Sequence, residues 1–311
     1  MLSFNETNYK NYGKCLEVSN GIIDMLITLD IGPRIIRYGF CGKENIMFED
    51  IKREHDYAKD DLKEMFGKDA HWYLYGGHRL WISPEYTETY YPDNNPVHFT
   101  KKENGVSLYC DTQEITGLQF RMEIVIEDNS SNVKITHYIE NKSGDTAEFS
   151  LWALTVLDKG GVELIPWNDN DTVLLPNRTI MAWPYTDFSD DRLYMGKKYL
   201  SLKQDCTKEP IKLGFDLNKG LAVYLNKGFM FVKRFNYYEN AIYPDNGCCF
   251  ETYSNYNFLE CETLGEFGPK PDGSTVSHVE YWSLYDGVSI ENPKDENEIA
   301  KIFKDHKLDK N

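Results

Sequence analysis

Two stretches of the chain concentrate side chains that could move protons or bind a polar ligand. The first is residues 72–97, WYLYGGHRLWISPEYTETYYPDNNPV, in which a His-Arg pair follows two glycines and precedes carboxylates and aromatic rings. The second is residues 243–268, YPDNGCCFETYSNYNFLECETLGEFG, where Glu251 shares one face of a predicted strand with a cysteine and a tyrosine. Such partly desolvated surroundings raise the pKa of a carboxyl group toward that of a useful general base.

The residue types of the first stretch suit a ligand ring that carries many hydroxyl groups. Aromatic side chains provide flat apolar faces with polar edges, and a Gly-Gly pair lets the backbone approach a ligand closely. The alternative is a tyrosine-rich loop in which His78 and Arg79 pair with nearby carboxylates, and residue type alone favours this alternative. By the same criterion, Glu251, Glu260 and Glu262 would be solvated strand residues.

Charge and composition exclude several classes of function. The 311 residues include 34 basic and 50 acidic side chains, and the net charge of −16 would repel nucleic acids and anionic membranes. No apolar run approaches the ~20 residues that span a bilayer, and the first residues lack a secretory-signal pattern. The seven cysteines are odd in number and form no CxxC pair, so we expect reduced thiols in a cytoplasmic protein. Metal-ligand spacings and phosphate-binding loops are missing, and we predict no metal and no cofactor.

The elements that must position these side chains are β-strands. Most segments alternate apolar and polar residues with a period of two, and turn signals separate them. The predicted strands are 21–31, 34–40, 117–127, 133–140, 147–157, 221–225, 229–235, 247–253, 257–263 and 275–285. Two segments have helical spacing instead, namely residues 57–66 and a C-terminal tail with apolar residues at i, i+3 and i+4. We therefore predict an all-β antiparallel sandwich over residues 1–290, with a short helical insertion, and a helical tail over residues 291–311.

Over most of residues 15–285, the chain resembles the galactose mutarotase-like (aldose 1-epimerase) superfamily. NGIIDMLITLDIGPRIIRYGFCGKENIMFED is similar to the family's first hairpin, VKITHYIENKSGDTAEFSLWALTVL to its central strand pair, and CCFETYSNYNFLECETLG to the segment with its catalytic glutamate. GGHRLWISPE with YYPDNNPV is similar to an uncharacterised branch of the superfamily. The resemblance implies a large, twisted, antiparallel β supersandwich with a sugar cleft on its concave face.

The chemistry of this family interconverts the α and β anomers of a free aldose through ring opening. A carboxylate removes the proton of the anomeric hydroxyl, while an acid, usually histidine, protonates the ring oxygen. The resemblance implies that Glu251 is the base. An ungapped match places Leu151 and Trp152 where the typical enzyme has an Asn-His pair. His78 is therefore our candidate for the acid, and Trp152 our candidate for a stacking plate.

The remaining candidates would bind the sugar rather than react with it. The predicted substrate-binding residues are Arg34, Arg79, Trp81, Glu85, Tyr91, Asp93, Asn94, Trp152, Glu260 and Glu262. The expected partner is a small sugar or a short oligosaccharide, with no nucleic acid and no membrane. Two alternatives stay open: a carbohydrate-binding or sugar-sensing protein without catalysis, and an oligosaccharide hydrolase or lyase that uses a second carboxylate near Glu251.

Overall fold

The chain folds mainly into β-strands, and the computed structural model describes residues 2–309. The first strands are β1 (Ser3–Asn8), β2 (Lys14–Ser19), β3 (Ile23–Thr28), β4 (Ile35–Phe40), β5 (Asp56–Tyr57), β6 (Trp72–Tyr73), β7 (Gly77–Ser83), β8 (His98–Lys102), β9 (Gly105–Tyr109), β10 (Leu118–Ile126), β11 (Val133–Asn141) and β12 (Ala147–Asp158). They are followed by β13 (Val162–Pro166), β14 (Ile180–Ala182), β15 (Leu193–Met195), β16 (Tyr199–Lys203), β17 (Ile211–Phe215), β18 (Leu221–Asn226), β19 (Phe229–Phe235), β20 (Phe250–Ser254), β21 (Phe258–Leu264), β22 (Gly268–Lys270) and β23 (Thr275–Asp286). The helical elements are α1 (Asp60–Phe66), a 3₁₀ turn (Thr87–Tyr90), the single turn α2 (Pro244–Gly247), in which Asp245 and Asn246 have positive φ angles, and α3 (Glu296–Asp305).

Two large antiparallel sheets account for nearly all of these strands. The first, here called the cleft sheet, has the order β1-β2-β3-β4-β7-β12-β21-β20-β17-β14, and β22 pairs with β12 as well. The second, the outer sheet, has the order β15-β16-β13-β18-β19-β23-β11-β10-β9-β8. Strands β5 and β6 form a separate two-stranded ribbon. The architecture confirms the predicted all-β antiparallel sandwich.

The main hydrophobic core lies between the two sheets. Ile27 and Ile35 of the cleft sheet pack in the same buried cluster as Leu108 and Ile124 of the outer sheet. Burial alternates with partial exposure along β10, as the period of two in its sequence predicts. The apolar half of each strand is therefore what holds the sheets face to face.

The C-terminal helix covers the other face of the outer sheet. Ile299, Ile302 and Phe303 of α3 are buried in one cluster with Leu164 of β13 and Val232 of β19. The helix begins after Asp295, whose side chain accepts a hydrogen bond from a first-turn backbone N–H and so satisfies one unpaired donor there. The i, i+3, i+4 spacing in the tail sequence thus corresponds to a helix face packed on the sheet.

Both segments with helical spacing contain a helix. Helix α1 lies within the predicted segment 57–66 and ends at Gly67, whose φ of 103° strongly favours glycine. Helix α3 lies within the predicted tail 291–311, of which residues 310–311 fall outside the described residues. The domain boundary after residue 290 stays a prediction. Within residues 2–309, none of the helices is long and apolar enough to cross a membrane.

Five adjacent strands of the cleft sheet, β7, β12, β21, β20 and β17, position the candidate site residues. Their register places Trp81 opposite Trp152, Leu154 opposite Glu262, and Glu262 opposite Glu251. Because side chains alternate between the two faces of a strand, these residues share the face that points away from the core.

Candidate functional site

A cleft of about 660 Å³ opens on this outward face of the cleft sheet. About half of its lining residues are tryptophan, tyrosine or phenylalanine, and the ribbon strands β5 and β6 contribute to its rim. Its charged lining residues are Glu54, Asp56, Arg79, Glu85, Lys212 and Glu260. An apolar concavity with a few convergent polar groups is the usual form of a small-ligand site.

Three stacked indole rings form one wall of the cleft. The ring centroids of Trp72 and Trp81 are 5.4 Å apart, and those of Trp81 and Trp152 are 5.3 Å apart with nearly parallel planes. The guanidinium carbon of Arg79 lies 4.0 Å from the ring centroid of Trp81, a cation–π contact. Trp81 and Trp152 stack because they are direct cross-strand partners on β7 and β12.

The floor of the cleft is a carboxyl cluster arranged around one lysine. The side chains of Glu251 and Glu262 are both fully buried. Nζ of Lys212 lies 2.8 Å from Oε2 of Glu251 and 3.4 Å from Oε2 of Glu262. The indole Nε1 of Trp152 donates a hydrogen bond of 2.8 Å to Oε2 of Glu262. The single positive charge of Lys212 therefore lies within ion-pair distance of two buried carboxyl groups.

Burial raises the pKa values of two floor carboxyl groups. The pKa of Glu251 rises to about 8, because burial outweighs the opposing charge of Lys212. The pKa of Glu260 also rises to about 8, through burial first and the charge of Glu262 second. Burial lowers the pKa of Lys212, but the charges of Glu262 and Glu251 outweigh it, and the pKa is raised overall. At neutral pH the lysine is charged, and both glutamates hold a proton that they can release.

Glu260 is the carboxyl group of this floor that meets the cleft directly. It is 9% exposed and lines the cavity. Among residues 2–309, no side chain or backbone group makes a hydrogen bond or ion pair with it. The register pairs Tyr253 with Glu260 and Glu251 with Glu262, so Glu251 and Glu260 are diagonal neighbours. Diagonal side chains on paired strands are about 7–8 Å apart.

Seven of the predicted residues lie in or under the cleft. Arg79, Trp81, Glu85, Trp152 and Glu260 line it. Glu251 and Glu262 lie beneath Lys212. Strand alternation explains this outcome for all of them except Glu85, which follows the end of β7. The other six occupy positions on β7, β12, β20 and β21 that share one face of the sheet.

His78, the predicted acid, does not reach the cleft. It precedes Arg79 on β7, so its side chain points to the opposite face and is fully buried between the sheets. Its Nδ1 lies 2.8 Å from Oγ1 of Thr155, and its Nε2 lies 2.7 Å from Nε2 of His137. Burial lowers the pKa of His78 well below its usual value. The cleft sheet itself therefore separates His78 from the predicted base, Glu251.

His78 belongs to a buried polar group between the sheets, here called the inter-sheet cluster. Its members are His78, His137, Thr155, Lys233, Thr263, His278 and Glu280. Nζ of Lys233 lies 2.9 Å from Oε1 of Glu280, and the Thr263 hydroxyl donates to the same oxygen. The charge of Lys233 holds the pKa of the buried Glu280 carboxyl far below its usual range against the effect of burial, which raises it.

Three residues of the inter-sheet cluster could approach a common metal ion. Ligand atoms of His78, His137 and Glu280 lie within 4.8 Å of one another. Their hydrogen bonds already account for this arrangement, since Glu280 also accepts a hydrogen bond of 2.8 Å from the indole Nε1 of Trp282. The ammonium group of Lys233 next to Glu280 would repel a second cation. The donor set therefore fits a closed hydrogen-bond network better than a metal centre.

Four predicted binding residues lie outside the cleft. The buried guanidinium of Arg34 pairs with both carboxylate oxygens of Asp93, at 2.7 and 3.0 Å. Oδ1 of Asn94 accepts a hydrogen bond of 2.6 Å from the Tyr75 hydroxyl. Tyr91 lines a separate cavity of about 40 Å³ beside Arg34 and Asp93. These contacts hold the loop after β7 against the sandwich, which is a structural role.

The two glycines before His78 approach the protein's own backbone rather than a ligand. A Cβ atom on Gly76 would lie 2.3 Å from the carbonyl oxygen of Phe48, and one on Gly77 would lie 2.3 Å from that of Ile35. Both glycines also have positive φ angles. The two glycines therefore allow the start of β7 to pack closely against the backbone near Phe48 and Ile35.

Lys212 is the main site residue that was not predicted from the sequence, together with Trp72, Trp183 and Tyr185 of the cleft wall. Lys212 lies on β17, IKLGF, where Leu213 and the other apolar side chains are buried. A lone lysine in an apolar strand was the available signal. Its pairing with Glu251 depends on the β17–β20 register, which the sequence does not display.

Several solved structures share this fold. A galactose mutarotase-like protein from Clostridium acetobutylicum is 12% identical, with a TM-score of 0.54 over 92% of this chain and 99% of that chain. A galactose mutarotase-like protein from Lactobacillus casei is 10% identical, with a TM-score of 0.55 over 87% and 100%. A proposed aldose 1-epimerase from Klebsiella pneumoniae is 11% identical, with a TM-score of 0.58 over 99% and 87%.

The sequence itself matches no protein-family model and no curated protein. At 10–12% identity the likeness to solved structures establishes the fold alone. The strand order, the two sheets and these matches confirm the resemblance predicted from the sequence at that level: the chain has the galactose mutarotase-like fold.

Proposed function

We propose that this protein binds a sugar in the cleft and interconverts its anomers by acid/base chemistry. The observation that supports this proposal is that one cleft combines an aromatic wall with a carboxyl group, Glu260, whose raised pKa keeps it protonated at neutral pH. Trp81 and Trp152 can pack against the apolar face of a sugar ring, while Glu260 can hydrogen-bond to its hydroxyl groups. The fold, shared with proteins described as mutarotase-like, agrees with this function.

Anomer interconversion requires one proton donor and one proton acceptor at the anomeric centre. A carboxyl group with a pKa near the working pH populates both forms and can serve in either role. Glu251, the predicted base, is covered by Lys212, so it would contact a sugar only after that lysine side chain moves. The catalytic role of Glu251 and the cytoplasmic location both stay predictions. The chemistry itself uses no cofactor.

Magnetisation-transfer NMR on a panel of free aldoses tests the proposal. We expect the protein to accelerate α/β exchange of at least one aldose in a saturable manner, relative to heat-inactivated protein at the same pH. If no aldose in the panel exchanges faster, anomer interconversion is excluded for these sugars.

A sugar-binding protein without catalysis is the second candidate. The full burial of Glu251 and Glu262 and their shared contact with Lys212 favour it, because these groups do not meet the cleft. Under this alternative, a sugar quenches the fluorescence of the stacked tryptophans in a saturable manner, while the rate of anomer exchange stays at the uncatalysed value.

A further inference from the structure

We propose that Glu260 alone performs both proton transfers, as a single bifunctional carboxylic acid. Its O–H group donates to the ring oxygen, while its carbonyl oxygen accepts the proton of the anomeric hydroxyl. This inference rests on the proposed function and names the group that would carry it out. It also gives a chemical reason why the chain can have Leu151 and Trp152 where the typical family enzyme has an Asn-His pair.

Accessibility is the first argument for Glu260. It lines the cleft, whereas Glu251 and Glu262 are fully buried and share Lys212. Glu260 is 9% exposed and has no hydrogen-bond or ion-pair partner within residues 2–309. Its carboxyl group is therefore free to hydrogen-bond to a hydroxyl group of a ligand in the cleft. Oε1 of Glu251 and Oε1 of Glu262 also have no hydrogen-bond partner within residues 2–309, but both are buried and neither residue lines the cleft.

The geometry of the reacting atoms is the second argument. The ring oxygen and the anomeric oxygen of an aldose are bonded to the same carbon, as are the two oxygens of a carboxyl group. A protonated carboxyl group can therefore make two parallel hydrogen bonds to this pair, in the manner of a bidentate contact. One group in one position then replaces an acid and a base placed on separate elements.

Protons and electron pairs balance in this step. The bond between the anomeric carbon and the ring oxygen breaks, and its electron pair goes to the ring oxygen together with the proton of Glu260. The anomeric hydroxyl loses its proton to the other oxygen of Glu260, and its electron pair forms the aldehyde C=O bond. Rotation about the bond between the first two carbons, followed by the reverse step, gives the other anomer. The carboxyl group is protonated before and after each step.

The surroundings of Glu260 keep it protonated at neutral pH, which the mechanism requires. Its pKa is raised to about 8 by burial and by Glu262, while Lys212 and Arg79 act in the opposite direction. The titratable and charged groups that face it are Glu262 on its own strand, Lys212 on β17, Tyr253 on β20, Arg79 on β7, and Glu85. The protonated form therefore predominates below a pH of about 8.

The pH profile of kcat for anomer exchange separates a single carboxyl group from an acid–base pair. Glu260 acting alone predicts a rate that is constant at low pH and falls above about pH 8 as the group ionises. A pair of groups predicts a bell-shaped profile instead. Rates in H₂O–D₂O mixtures give a second test, because two protons that move in one step produce a curved dependence on deuterium content. A bell-shaped profile or a linear dependence would overturn the single-carboxyl mechanism.

Glu260→Gln is the matched variant, because the amide has nearly the same shape but has no acidic O–H proton to give to the ring oxygen while its carbonyl oxygen accepts another proton. We expect kcat to fall by about 10²–10⁴-fold, the usual contribution of positioned proton transfer, while KM changes little. Glu266→Gln is the control, since Glu266 is exposed on the next segment and lies outside the cleft. Tryptophan fluorescence and saturable sugar binding show that each variant is folded.

The outcomes separate this inference from the proposed function. If the wild-type protein exchanges anomers and Glu260→Gln retains its rate, the assignment to Glu260 is wrong while the proposed function stands. The same conclusion follows if only Glu251→Gln abolishes exchange. If the wild-type protein exchanges no aldose at all, the proposed function fails, and this inference fails with it.

Discussion

Nε2 of His78 lies 2.7 Å from Nε2 of His137, and this contact joins the two sheets through their interior. Nδ1 of His137 faces the carbonyl oxygen of His278 at 3.2 Å, so this nitrogen carries the hydrogen and the neutral ring accepts at Nε2. His78 then donates from Nε2 and accepts at Nδ1 from the hydroxyl of Thr155. The hydrogen bonds run in one direction from β12 to β23. The two in which a ring nitrogen accepts, at Nδ1 of His78 and Nε2 of His137, require neutral imidazoles.

We predict that acid destabilises the fold through these buried histidines. Burial lowers the pKa of His137 to about 4 and that of His278 to about 3, whereas an exposed histidine has a pKa of about 6.5. Between pH values of about 6.5 and 4, the unfolded chain binds protons that the folded protein does not, so the free energy of unfolding falls as pH falls. His137 alone would contribute up to about 3 kcal/mol over this window.

Urea unfolding at a series of pH values measures this effect. His137→Gln should flatten the dependence of unfolding free energy on pH, because it removes one buried titrating group. His98→Gln is the control, since His98 is exposed on β8 and lies outside the buried hydrogen-bond chain. A wild-type stability that is constant across this window would contradict the neutral hydrogen-bond chain.

A second prediction concerns the lysine beneath the cleft. Lys212→Met removes the positive charge that Glu251 and Glu262 share, and the loss of one partner of a buried ion pair typically costs about 3–5 kcal/mol. We expect chemical denaturation to show a loss of this order above pH 8, where the pKa of Glu251 allows it to ionise, and a smaller loss at neutral pH, where Glu251 holds a proton.

Two controls test this prediction: one removes a carboxyl group next to Lys212, and the other removes a lysine on the surface. Adding Glu251→Gln to Lys212→Met should restore part of the stability, because it removes one unpaired carboxyl group. Lys208→Met removes an exposed lysine that pairs with Asp191 on the surface, where a loss of at most about 1 kcal/mol is typical. Equal losses for the two lysine variants would show that the buried carboxyl groups do not depend on Lys212.

The sequence predicted the strands well because most of them have one apolar face. In β10 the alternation of burial follows the alternation of residue types, and the same rule placed Glu251 on the face that bears the cleft floor. Strand β7, Gly77–Ser83, is different, because six of its seven residues are buried. When both faces of a strand are buried, polarity does not reveal which set of side chains faces the core, so His78 and Arg79 could not be distinguished. The cluster of Lys212, Glu251 and Glu262 could not be predicted from the sequence, because it depends on the register of β17, β20 and β21.

A third prediction concerns the charge of the ligand. Both cationic side chains of the cleft are engaged, Lys212 by two carboxyl groups and Arg79 by the face of Trp81. Four of the six charged lining residues are acidic. We therefore expect a 6-phosphate to weaken the binding of an aldose relative to the unmodified sugar.

Tryptophan-fluorescence titrations with an aldose and its 6-phosphate, at low and high salt, measure this preference. The difference in Kd should shrink at high salt, because screening reduces charge repulsion in an open cleft. Tighter binding of the phosphate ester would contradict the charge argument and would point to a rearrangement that frees Arg79.

The last prediction separates the two roles of Trp152 in the cleft. Its ring stacks on Trp81, and its Nε1 donates to Glu262. Trp152→Phe preserves an aromatic face but leaves the Glu262 oxygen without this donor, a loss that typically costs about 1–3 kcal/mol. Trp152→Ala removes the ring as well. We expect both variants to lose stability, while sugar binding, measured by NMR titration, weakens strongly in the alanine variant and only slightly in the phenylalanine variant. Equal weakening in the two variants would mean that the hydrogen bond to Glu262, rather than the aromatic face, supports the bound sugar.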